Sequence, residues 1–234
     1  MRLAELRKEL QQEKNPVQVK ILQRFFKTGK GEYGEGDIFY GIKVPVTRKI
    51  AKKYNDLYFT DLKILLSSKV HEERLAAGLI MVEKFNKADE EQKEKIFNFY
   101  LKNRKGINNW DLVDLTAPKI VGNYLMERDK NILFELAQSE NIWDRRISII
   151  STLTFIKKNR FDETLKIAQL LLNDKHDLIH KAVGWMLREI GKVNKEVEME
   201  FLMKYYKRMP RTMLRYAIEK FPEKKRKQFL EGSL

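Results

Sequence analysis

Three tryptophans occur in the 234 residues, and Trp110 stands at helical spacing from a carboxylate. Trp110 and Asp114 are four residues apart in NNWDLVDL, so a helix puts both on one face. Trp185 lies in HKAVGWMLRE and Trp143 in ENIWDRRISII, three residues before Arg146. Indole faces attract cations, and a carboxylate in an apolar setting stabilises positive charge as it develops. Such a set suits a cationic substrate or a cationic transition state. Trp143, near the start of its segment, reads instead as a packing anchor, and Asp111 as a cap or a local ion-pair partner with no chemical role.

Helices must position these residues. Residues 71–86 place Leu75, Leu79, Met81, Val82 and Phe85 on an apolar face with Glu and Lys opposite. Similar periodicity covers 88–103, 108–124, 127–138, 143–158, 161–173, 177–192, 194–207 and 211–220. Pro16, Pro45 and Pro210 stand where helices begin, because the first turn tolerates a missing N–H. The exception is 27–44, KTGKGEYGEGDIFYGIKV, an irregular stretch with five glycines. Its glycine pattern does not match a P-loop. Its exposed N–H groups are candidates for backbone contact with an anion, and Tyr33 and Tyr40 either pack the loop or approach a ligand.

Aligned on alternate helices, the chain repeats. Arg74, Trp110, Arg146, Lys181 and Arg215 follow one another at spacings of 36, 36, 35 and 34 residues, and Arg48 fits the same place after a shorter first unit. The expected fold is all-α, a right-handed superhelical solenoid of HEAT-like, armadillo-type repeats with about six helix pairs in a single domain over 1–234. Five of the six repeat positions are basic and the sixth is Trp110. Such a row either lines a cationic groove or pairs with carboxylates of neighbouring repeats. Asp114 shares the repeat phase of Trp185, so the solenoid is expected to bring Trp110, Asp114, Arg146 and Trp185 onto one wall across three repeats.

Lys and Arg outnumber Asp and Glu by 47 to 33, a net charge of +14. A basic surface favours a polyanion because cation–phosphate contacts release counterions. A lysine-rich proteome is the alternative source of such a charge. The chain has no cysteine, which excludes disulfides, thiolate nucleophiles and cysteine zinc sites. His176 and His180 have a metal-compatible spacing without an evident third ligand, so neither a metal nor another cofactor is expected. The N-terminus reads as an amphipathic helix without a secretion signal, and the expected location is cytoplasmic, at the nucleoid.

The segments YGEGDIFYGIKVPVTRKIAKKY, NNWDLVDLTAPKIVG, ENIWDRRISII, HKAVGWMLREIGK and MPRTMLRYAIEKF resemble the bacterial AlkD-type DNA alkylation repair glycosylases. The ordered motifs WDxVD, IWxxR and GWxLRE carry the resemblance, which extends over residues 25–220. It implies HEAT-like repeats wrapped around duplex DNA, and hydrolytic release of N3- and N7-alkylated purines while the lesion stays stacked. It further implies that Asp114 is the catalytic carboxylate, Trp110 and Trp185 the active-site tryptophans, and Arg146 a phosphate contact. Arg48, Arg74, Lys181 and Arg215 are expected to add DNA contacts. A monomeric, monofunctional glycosylase without strand cleavage is the expected enzyme. A non-catalytic DNA-binding relative and a protein scaffold binding acidic peptides are the alternatives.

Overall fold

The computed structural model describes residues 1–234. The chain is all-helical, as expected; one isolated bridge joins Ile38 to Val70 and no strand forms. No helix is long and apolar enough to cross a membrane. Two compact units divide the chain, Met1–Ile120 and Val121–Leu234.

The first unit holds α1 (Arg2–Gln12), α2 (Pro16–Phe25), α3 (Val44–Lys53), α4 (Phe59–Leu66), α5 (His71–Lys87), α6 (Glu90–Lys102) and α7 (Trp110–Ala117). Local chemistry sets their starts. Asn15 accepts a hydrogen bond from Gln18 N ahead of Pro16, Asp89 and Gln92 form a capping box, and Asn109 caps α7. The central element is α5, which packs against α3, α4 and α7. Its apolar side chains are buried as the periodicity requires. The expectation of a solvated charged face fails over its first turn, where His71, Glu72, Glu73 and Arg74 are all buried. Neighbours surround this helix end, so no side of it is left for water.

In the second unit, a π turn (Pro118–Gly122, which begins in the first) leads into α8 (Asn123–Leu125). Then come α9 (Asn131–Ala137), α10 (Ile142–Ser151), α11 (Leu153–Ile156), α12 (Asp162–Leu170), α13 (Asp177–Val193), α14 (Lys195–Tyr205), α15 (Arg211–Ala217) and α16 (Glu223–Glu231). Here α13 is central and packs against α10, α12, α14 and α15. Trp143 is buried at the start of α10, the anchoring role expected of it. The basic run at 223–227 forms α16, whose Phe229 is buried, and Gly232 closes that helix in the left-handed conformation.

Within each unit the helices carrying the repeat position lie side by side, α3–α5–α7 in one and α10–α13–α15 in the other. In the second unit α13 and α15 approach closely at Gly184 on α13. A Cβ there would fall 2.4 Å from the carbonyl oxygen of Met213 and 2.6 Å from the Cβ of Tyr216. Glycine at this place is therefore what lets α15 sit against α13. Backbone cannot yield as a side-chain tip does, so Gly184→Ala is expected to cost about 1–3 kcal/mol by overpacking. Urea unfolding of the purified variant checks this, and a midpoint equal to wild type would contradict it.

Candidate active site

The site is built on α7. Asn109, fully buried, accepts from Trp110 N at 2.8 Å and starts the helix. Trp110 is then the first helical residue, and Asp114 follows one turn later, half-buried on the same face. Both line a cavity of 420 Å³ whose wall is mostly apolar. Phe26 stacks on Trp110 with ring centres 5.1 Å apart and planes 19° apart. Phe25 meets the same indole edge-on at 5.5 Å and 77° while remaining 59% exposed. Phe39 closes the stack behind Phe26 at 5.2 Å. The indole is therefore held by packing, and Asp114 faces a cavity of low polarity, where a carboxylate acts more strongly on a nearby cation than it does in water.

Behind the aromatic wall lies a buried group of charges. His71 Nε2 is 2.8 Å from Asp111 Oδ2, and its Nδ1 is 3.4 Å from Asp37 Oδ2. Arg74 donates to Asp37 Oδ1 at 2.7 Å and to Ser68 O at 2.8 Å. Burial works against a charged His71 ring, but the charge and hydrogen bond of Asp111, aided by Asp37, outweigh it and push the ring up to about 9. Asp37 titrates below its ordinary range: burial opposes this, and the His71 hydrogen bond and the Arg74 charge prevail. Asp111 thus pairs locally, one of the two roles the sequence allowed it.

The same helix start fixes the glycine-rich segment. The Glu72 carboxylate accepts from the backbone N–H groups of Tyr40, Gly41 and Ile42 at 3.0, 2.8 and 3.1 Å. Gly41 has φ +85°, and a Cβ there would lie 2.3 Å from Asn15 O, so only glycine fits. Glu73 takes Arg7 at 2.9 Å and the Tyr40 hydroxyl at 3.4 Å. Tyr33 donates to Phe25 O at 3.4 Å. Both tyrosines therefore pack the segment. The amides of Gly29 and Gly31 are taken by Glu32 and Glu35, so they do not form the open anion site considered from sequence.

The basic row is less open than its phase suggested. Arg74 is 3% exposed and committed to Asp37, which corrects its expected role as a DNA contact: at this position the cation answers a carboxylate of its own unit. Arg48 is half-buried on α3. In the second unit, Arg146 is 5% exposed and donates to Leu178 O at 2.6 Å, tying α10 to α13. Lys181 pairs with Asp177 at 2.7 Å, and Arg215 is exposed on α15. Trp185 is half-buried on α13, its Nε1 donating to Glu189 at 3.0 Å. His176 caps α13 through Leu178 N and His180 bonds Asp174 O, each a local structural contact.

The structure thus brings Trp110 and Asp114 together in the first unit and places Arg146, Lys181, Trp185 and Arg215 in the second. Sequence reasoning missed Phe25, Phe26, Phe39 and His71. The signal for His71 was the run His71–Arg74, four charged or titratable residues at the start of an amphipathic helix.

A family model described as DNA alkylation repair enzyme matches residues 6–221. The chain belongs to the DNA alkylation repair enzyme family. Membership assigns it to DNA repair, with DNA as the substrate, and the carboxylate beside Trp110 lies within the matched region. Among solved structures, a "Predicted DNA alkylation repair enzyme from Enterococcus faecalis" has a similar fold, with a TM-score of 0.68 at 18% identity, covering 90% of this chain and 98% of that one. The comparison with curated proteins gives no match.

The charge cluster makes stability depend on pH. The folded His71 titrates above its ordinary 6.5, so its contribution is full below 6.5 and is lost as pH rises through about 9. Replacing it in His71→Phe is expected to cost most at pH about 6.5 and least above pH about 9.5, read as the difference in urea midpoints from wild type. A difference that grows with pH would contradict this assignment.

Proposed function

We propose that the chain is a monofunctional DNA glycosylase that hydrolyses the N-glycosidic bond of N3- and N7-alkylated purines in duplex DNA, without flipping the base. The observation that carries the reading is Asp114 beside a packed Trp110 in an apolar cavity, within a DNA alkylation repair family. Alkylation makes the purine a cation and a good leaving group. As the bond from C1′ breaks, the purine keeps the bonding electrons and leaves neutral, and positive charge passes to the sugar as an oxocarbenium ion. Asp114 stabilises that charge and takes a proton from the water that attacks C1′. The products are the free base and an abasic strand, and no cofactor takes part in the balance.

Trp110 presents its indole face to the sugar, and Trp185 is proposed to contact the lesioned nucleotide as well. Arg48, Lys181 and Arg215 are proposed to hold phosphates, with the net charge of +14 supplying general affinity for the duplex. Arg146, which ties α10 to α13 through Leu178 O, is proposed to join them on DNA binding. The expected form is a monomer.

Duplex DNA carrying one 7-methylguanine provides the test. The purified protein should release the free base, and Asp114→Asn should slow release by about 10²–10³-fold. No release by wild type would overturn the enzymatic reading; salt-dependent duplex binding without release would mark a non-catalytic DNA binder. Affinity for undamaged duplex should fall steeply with salt, and Arg215→Gln should reduce the slope of log K against log salt by about 1. An unchanged slope would remove Arg215 from the interface.

A further inference from the structure

A carboxylate of α7 and the ring that stacks on Trp110 meet at one imidazole. Asp111, on the first turn of α7 between Trp110 and Asp114 in sequence, is 2.8 Å from His71 Nε2. The other Asp111 oxygen is buried without a hydrogen-bond partner, so the carboxylate leans on this contact. The His71 ring also stacks on Phe39 at 4.6 Å and lies 4.8 Å from Phe26, the ring that stacks on Trp110. Its remaining nitrogen reaches Asp37 of the glycine-rich segment, which Asn109, the cap of α7, also approaches at 3.4 Å.

α7 passes directly into the π turn at Pro118, which has no N–H to continue the regular ladder. Side-chain ties on the turns ahead of this break fix the face that α7 presents. The ties are the Asn109 cap, the 2.9 Å hydrogen bond between Tyr100 and Thr116, and the His71–Asp111 contact. The third acts on the turn that carries the candidate chemistry.

We infer that His71 is a positioning residue: through Asp111 on one side and Phe26 on the other, it sets the placement of Trp110 and Asp114 at the cavity. The inference rests on the proposed glycosylase reading for its catalytic consequence, but the coupling of His71 to Trp110 stands apart from it. The charged groups around the ring are Asp37 from the loop, Asp111 from α7, and Glu72, Glu73 and Arg74 from its own helix. The two nearest carboxylates favour the imidazolium and hold it between the loop and α7. Loss of the proton removes the ring's positive charge and leaves one of its two nitrogens without an N–H to donate, so the clamp loosens at alkaline pH and Trp110 feels it.

The test uses the full chain labelled with 5-fluorotryptophan, with the Trp110 fluorine resonance identified by its absence in Trp110→Phe. In wild type this resonance should move between neutral pH and pH about 10, with a midpoint near the His71 value of about 9. His71→Gln should shift or broaden it at neutral pH and abolish the titration, as should the milder Asp111→Asn. Single-turnover base release by His71→Gln should fall by about tenfold, the effect of misplacing a reacting group. Its affinity for undamaged duplex, set by surface cations, should stay within about twofold. A Trp110 resonance that is flat with pH in wild type, or release by His71→Gln equal to wild type, would overturn the positioning role. The wild-type titration needs no variant to fold. If wild type releases no base at all, the glycosylase reading fails, while the fluorine titration still decides the clamp.

Discussion

Burying His71, Glu72, Glu73 and Arg74 at the start of α5 constrains everything around them in the first unit. A buried charge left alone costs several kcal/mol, so each must find a partner. Arg74 takes Asp37, His71 takes Asp37 and Asp111, Glu72 takes three backbone amides, and Glu73 takes Arg7 and Tyr40. These partners come from the loop before α3, from α7 and from α1. One helix end thereby draws three otherwise separate segments to itself. Breaking any single tie leaves an uncompensated charge, which makes the arrangement specific even where its net contribution to stability is small.

The aromatic wall is the other side of the same construction. Phe26 and Phe39 pack on the His71 ring, and Phe26 also stacks on Trp110. The rigidity of the indole follows from a stack that ends on His71. The cavity is mostly apolar because these rings form much of its lining, and Asp114 lies on its wall. In the proposed mechanism a carboxylate in such surroundings stabilises a developing cation with less reorganisation than water would need.

Much of this was legible in the residues. The periodicity at 71–86 and 177–192 gave α5 and α13, the central helices of their units, and the 34–36-residue spacing gave the helices that pack side by side. The pair Trp110–Asp114 was readable because both belong to one short helix, where spacing alone fixes the shared face. The role of Arg74 was not readable: a basic residue in phase with Arg215 looks the same in sequence, and only the fold shows that Asp37 reaches one of them. Phe39 escaped because an aromatic residue in an irregular loop carries no period, and Phe26 because it stands at the end of α2, outside the periodic stretches. Family likeness pointed to the motifs on the helices, and the support behind them lies in the segment with the least regular sequence.

In the proposed mechanism Asp114 stabilises positive charge at the sugar. That is best tested by binding to duplexes holding a cationic pyrrolidine in place of the lesioned sugar, compared with a neutral tetrahydrofuran at the same place. Wild type should prefer the cationic duplex by about tenfold or more, and Asp114→Asn should bind the two alike. Equal affinity of wild type for both duplexes would contradict the assignment of Asp114.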